Sequence, residues 1–125
     1  MNVLVLGNKI QSISRSPIQT TNDTIVIEAN QKVLMPGLID AHWHAMMAAM
    51  PVSKLLTSEV ADFNFSAAAE ANNTLMRGFT SVRDMSGPTF SLKRAIDSNI
   101  INGPRIWPSG AMISQTGGHG DFRMT

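Results

Sequence analysis

Pro36-Gly37-Leu38-Ile39-Asp40-Ala41-His42-Trp43-His44 opens on a Pro-Gly pair, runs through apolar residues and closes on two histidines one residue apart. A short apolar run bounded by turn residues has the marks of a buried strand. In a strand, residues i and i+2 face the same side. His42 and His44 are therefore expected to project together from its C-terminal end, where two neutral imidazoles make half of a metal site. A lone histidine is more often a partly buried ring with one hydrogen-bonded nitrogen, and on the residues alone that reading stays open. Met46, Met47 and Met50 follow in an Ala-rich stretch. With the histidines they could imitate a soft copper(I) site, although such methionines more often fill an apolar gap.

Outward from this stretch the pattern alternates. Ser66 to Arg77 is Ala-rich and followed by Gly78, the residue most often found just past a helix end. Residues 78–84, Gly-Phe-Thr-Ser-Val-Arg-Asp, have a strand's β-branched content. Gly87-Pro88 then opens a second helix over Thr89 to Asn99, with Phe90, Leu92 and Ile96 as its apolar residues. Asn102-Gly103-Pro104 ends it before a third strand, Arg105 to Ile113. Strand, helix, strand, helix, strand is the order of a parallel α/β unit with right-handed crossovers. Upstream, residues 1–35 have hairpin grammar: Val3 to Leu6, a turn at Gly7-Asn8, Lys9 to Ile13, then Thr24 to Glu28 and Lys32 to Met35 as further strands. The expected division is a partial small β domain over 1–35 and an α/β unit over 36–125. An eight-stranded parallel barrel takes about 250 residues, so three strands and two helices amount to less than half of one.

The 125 residues are 43% hydrophobic and 15% charged, enough apolar content for a buried core. Ten Lys and Arg against nine Asp and Glu leave a net charge of +1. With no basic run, the footprint of a nucleic-acid or acidic-membrane partner is missing, and neither partner is expected. Cysteine is absent, which removes disulfides, thiolate metal sites and cysteine nucleophiles. Any metal must use His, Asp, Glu or Met. Met1 to Leu6 is too short and lacks the basic start of a secretory signal, and no apolar run nears the roughly 20 residues of a membrane-spanning helix. The default compartment is the cytoplasm.

Two further features carry chemistry. Thr116-Gly117-Gly118-His119-Gly120-Asp121 follows the third strand, so its loop emerges at the same end of the sheet as His42 and His44. Glycines around a histidine let backbone amides approach an anionic or carbonyl oxygen, and they equally serve turn geometry alone. Ser81-Val82-Arg83-Asp84 ends the second strand on a charged pair whose members alternation sends to opposite sides. A surface ion pair is the plainer reading there. Nothing in the spacing brings together a Ser-His-Asp triad or paired carboxylates.

Pro36 to His44 resembles the first barrel strand of the amidohydrolase superfamily, whose hallmark is Pro-Gly-Leu-Ile-Asp-x-His-x-His. Residues 78–84 resemble that superfamily's second strand. Residues 103–106 through 116–121 resemble the branch related to imidazolonepropionase and the prolidase-like dipeptidases. The resemblance implies a partial (β/α)8 TIM barrel, its first three strands and two helices, preceded by part of a small β-sandwich domain. It also implies that His42 and His44 bind a divalent metal, in that family often zinc, which activates water against an amide or other carbon-nitrogen bond. His119 corresponds to residues at the mouth of the active site, where it touches substrate. The family's lysine on the fourth strand, histidines on the fifth and sixth, and aspartate on the eighth have no counterparts here. No residue is therefore assigned a catalytic role. Trp43 is bulkier than the small or β-branched residue expected between the ligands, and could crowd the site.

Two functions follow as expectations. One is the N-terminal part of a metal-dependent hydrolase acting on small amide or dipeptide-like substrates. The other is a truncated, non-catalytic fragment or metal-binding remnant that folds by self-association or with a missing C-terminal chain. With two histidines assured, weak metal affinity is expected, and Asp40 or His119 could add a third ligand.

Overall fold

The computed structural model describes residues 1–55 and 57–121. They form two compact units, Met1–Leu34 and the residues from Met35 onward.

In the first unit, β1 (Asn2–Leu6) and β2 (Lys9–Ser14) pair antiparallel, with Leu6 opposite Lys9 across the turn at Gly7-Asn8. Gly7 holds a left-handed φ of 60° there, which glycine adopts without steric penalty. Thr24 to Glu28 and Lys32 to Met35, expected as strands, are irregular. Ile25, Val26, Ile27, Val33 and Leu34 all lie exposed. β-branched residues favour a pleated surface only where a neighbour covers it, and these have none among the described residues. The unit thus has one two-stranded hairpin as its sheet.

The second unit is α/β. β3 (Leu38–Trp43), β4 (Phe79–Asp84) and β5 (Arg105–Pro108) form a parallel sheet in the order β3-β4-β5. Between β3 and β4 run two single-turn helices, α1 (Ala45–Ala48) and α2 (Val52–Leu55), and the long α3 (Val60–Met76); α4 (Phe90–Asp97) joins β4 to β5. α3 begins six residues before the expected Ser66. The Asp62 carboxylate accepts the Glu59 N–H at 3.2 Å and so supports a start there. Gly78, at φ 97°, ends α3, its N–H donating to the Leu75 carbonyl at 2.9 Å. α4 ends at Asp97, and Asn99 just beyond it takes a left-handed φ of 58°, ahead of the Asn102-Gly103-Pro104 signal. β5 ends at Pro108, short of the expected Ile113.

One face of the sheet carries the core. Val82 of β4 and Ile106 of β5 pack with Ala67 and Ala71 of α3 and Leu92 of α4, joined by Trp43, Ala45 and Met46. Ala67 and Ala71 are one helical turn apart and fully buried, and their small side chains bring α3 close to the strands. No helix of the described residues is long and apolar enough to cross a membrane.

Candidate metal centre

The site lies where β3 ends, and a bulge decides which side chains reach it. Asp40 pairs with Val82 and Trp43 with Asp84, so β3 advances three residues while β4 advances two. An extra residue in one strand reverses the alternation beyond it. Ile39 and Ala41 line an open groove with Arg83 and Trp107, on the face away from the helices. Continued without the bulge, that parity would put Trp43 in the groove and both histidines in the core. With it, Trp43 turns into the core at 6% exposure, while His42 is exposed and His44 half-buried. The expectation that Trp43 crowds the site is thereby corrected.

The bulge frees a backbone N–H, and Asp40 takes it: the His42 amide donates to Asp40 Oδ1 at 3.0 Å. The two imidazoles meet edge to face, with ring centroids 5.0 Å apart and planes at 75°. Their Nε2 atoms are 3.2 Å apart. Two nitrogens each about 2.05 Å from one tetrahedral metal stand about 3.3 Å from each other, so the pair has the spacing of two ligands on one ion. Without an ion the same distance suits a hydrogen bond between a protonated and an unprotonated Nε2. His44 Nδ1 is buried and has no partner among the described residues.

The remaining candidates do not join the pair. Among the described residues no group of three or more His, Asp and Glu converges as a metal would require. Asp40 is engaged by the His42 amide, and His119 lies exposed on its own loop. That loop is closed on itself: Gly117 N–H donates to Asp121 Oδ2 at 2.8 Å, and Gly120 N–H to Ser114 Oγ at 3.1 Å. A Cβ on Gly120 would run into the Met112 side chain, which accounts for that glycine by packing.

Arg83 and Asp84 part as alternation demands, Arg83 exposed on the groove side and Asp84 fully buried on the core side. They are no surface ion pair. Asp84 Oδ2 accepts the Ala45 N–H at 2.7 Å and Oδ1 the Ser86 N–H at 3.2 Å. This residue's place beside the histidines was missed in the sequence. Its signal was there, since alternation puts Asp84 on the same side as the apolar Val82.

Residues 33–124 match the amidohydrolase family, and the chain belongs to it. It is 39% identical over 94 residues to ochratoxinase of Aspergillus niger, an alignment covering 72% of this chain and 19% of that protein. A prolidase solved in complex with N-methylphosphonate-L-proline superposes with a TM-score of 0.82 at 37% identity, over 97% of this chain and 29% of the other. An Xaa-Pro dipeptidase with methionine in its active site gives a TM-score of 0.58 at 35% identity, over 69% and 22%. The chain thus spans less than a third of each of these proteins. The amidohydrolase family is generally metal-dependent.

Proposed function

We propose that this chain contributes the first two metal ligands, His42 and His44, to an amidohydrolase that cleaves amide or dipeptide-like carbon-nitrogen bonds. The observation that carries the reading is the 3.2 Å approach of the two Nε2 atoms at the end of β3. On this reading β3, β4 and β5 are the first three strands of a (β/α)8 barrel, and the histidines lie at its C-terminal face, where such barrels hold their active sites. A divalent metal such as zinc, when bound, would supply a Lewis acid and a water acidified to a pKa of about 7.

The chain's own residues divide the remaining tasks. Asp40 and Asp84 hold backbone amides on either side of the histidine pair, so neither is assigned to proton transfer. His119, exposed on its glycine-rich loop, is assigned to substrate contact. Prolidase and Xaa-Pro dipeptidase among the similar structures favour a small dipeptide-like substrate. A general acid or base, typically worth about 10²–10⁴-fold in rate, is left to residues outside this chain.

Titration calorimetry with zinc tests the ligand assignment. The protein should bind zinc more weakly than a site of three or four protein ligands, and the double variant His42→Ala, His44→Ala should lose that binding. Tight stoichiometric binding that survives the double change would refute it.

A further inference from the structure

We propose that Asp84 is a positioning residue that aims the His44 ring at His42, by capping α1 from the neighbouring strand. The proposal deepens the metal reading above and rests on it.

The first N–H groups of a helix have no intrahelical acceptor and need one from elsewhere. In α1 the N-cap position is His44 itself, at φ −138° and ψ 85°, and its side chain makes no cap hydrogen bond. Its Nε2 is turned to His42, and its Nδ1 makes no hydrogen bond among the described residues. Asp84 supplies the acceptor instead, its Oδ2 taking the Ala45 N–H at 2.7 Å. The residue just past that strand acts on the other side of His44: Met85 N–H donates to the Trp43 carbonyl at 2.9 Å. Both peptide groups that flank His44 are therefore held by consecutive residues at the end of β4.

Two observations make this more than a helix cap. Asp84 is 0% exposed, and a carboxyl group is seldom buried so completely unless its hydrogen bonds fix something. In metal sites the second ring nitrogen of a histidine usually finds a partner that sets the ring's direction. His44 Nδ1 has none among the described residues, so its aim comes from the backbone that Asp84 and Met85 hold.

The test reads cobalt(II) affinity and the cobalt absorption spectrum in the wild type, Asp84→Asn and Asp84→Ala, with folding checked by circular dichroism and melting temperature. Asparagine keeps one oxygen for the Ala45 N–H but cannot accept from Ser86 as well. Its affinity should fall by a few-fold, and that of Asp84→Ala by about 10–100-fold, the range for partners of metal ligands. A folded Asp84→Ala that binds cobalt as the wild type does, with the same spectrum, would overturn the proposal. Should that variant not fold, an Asp84→Asn with wild-type affinity and spectrum does so. The His42→Ala, His44→Ala protein separates the two readings: if cobalt binding survives in it, the metal assignment fails by itself. Asp84 is then judged in the metal-free protein by the ring proton resonances of His44. Their displacement in Asp84→Asn, with those of His119 unmoved, supports the positioning role, and no displacement overturns it.

Discussion

Adjacent residues at the end of β3 have opposite duties. Trp43 is buried in the core with Val82, Leu92 and Ile106, while His42 is exposed on the other face. Removing a buried Trp side chain deletes its transfer free energy and leaves a cavity, so Trp43→Ala should lower stability by about 3–5 kcal/mol. His42→Ala, which empties no core space, should stay within about 0.5 kcal/mol of the wild type. Urea unfolding of the two variants checks the pair of values. Comparable losses in both would show that Trp43 does not anchor the strand end. The metal readout runs the other way: on the proposed ligand role, loss of His42 should weaken zinc binding without unfolding the protein. This separation of stability from binding at neighbouring positions is what the reversed alternation entails.

The three parallel strands and the two longer helices could be read from composition and punctuation, because each carries a strong local signal. β4 has its β-branched run, and α3 has its alanines and the closing Gly78. What could not be read depended on partners distant in sequence. Residues 24–28 look like a strand in composition but have nothing among the described residues to pair with. The early start of α3 has Glu59 at its N-cap, outside the usual Ser, Thr, Asp and Asn choices. Simple alternation is enough to put His42 and His44 on the same side, but which face that is depends on the bulge between Asp40 and Trp43, which no local pattern announces. Two glycines show how closely the elements approach. A Cβ on Gly37 would overlap the Thr80 side chain, including its Cβ at 2.7 Å, so Gly37→Ala should cost about 2–3 kcal/mol and trimming Thr80 to Ala should not restore it. A Cβ on Gly103 would lie 2.5 Å from Ile96 Cδ1 and 3.1 Å from Ala71 Cβ. That clash is chiefly with the far end of one side chain. Gly103→Ala should cost about 1 kcal/mol, and adding Ile96→Val should recover most of it, which thermal unfolding of the single and double variants measures.

At the scale of the whole molecule, the α/β unit covers one face of its sheet and leaves the other open. Ile39 is 74% exposed and Trp107 57% exposed on the groove side, with Arg83 between them, and β3 and β5 are both edge strands. In the hairpin unit Val5, Leu6, Ile10 and Ile13 are exposed as well. Open edges and contiguous apolar faces recruit other chains. The similar proteins are more than three times as long as the part this chain matches, so in them there is ample polypeptide to cover such a face. We therefore expect the chain by itself to self-associate, and sedimentation velocity over a concentration series should show its average mass rising. Ile39→Glu with Trp107→Glu places charge on the open face without touching the helix-side core, and should shift the distribution toward the monomer. Co-expression with a chain supplying the remaining strands should have the same effect by covering the face, and dipeptide hydrolysis should appear only in that complex. A chain that stays monomeric at every concentration, or that hydrolyses a dipeptide alone in a metal-dependent way, would defeat this expectation. It would also require a proton-transfer group among the residues described here, with Asp121 and His119 the first to be replaced.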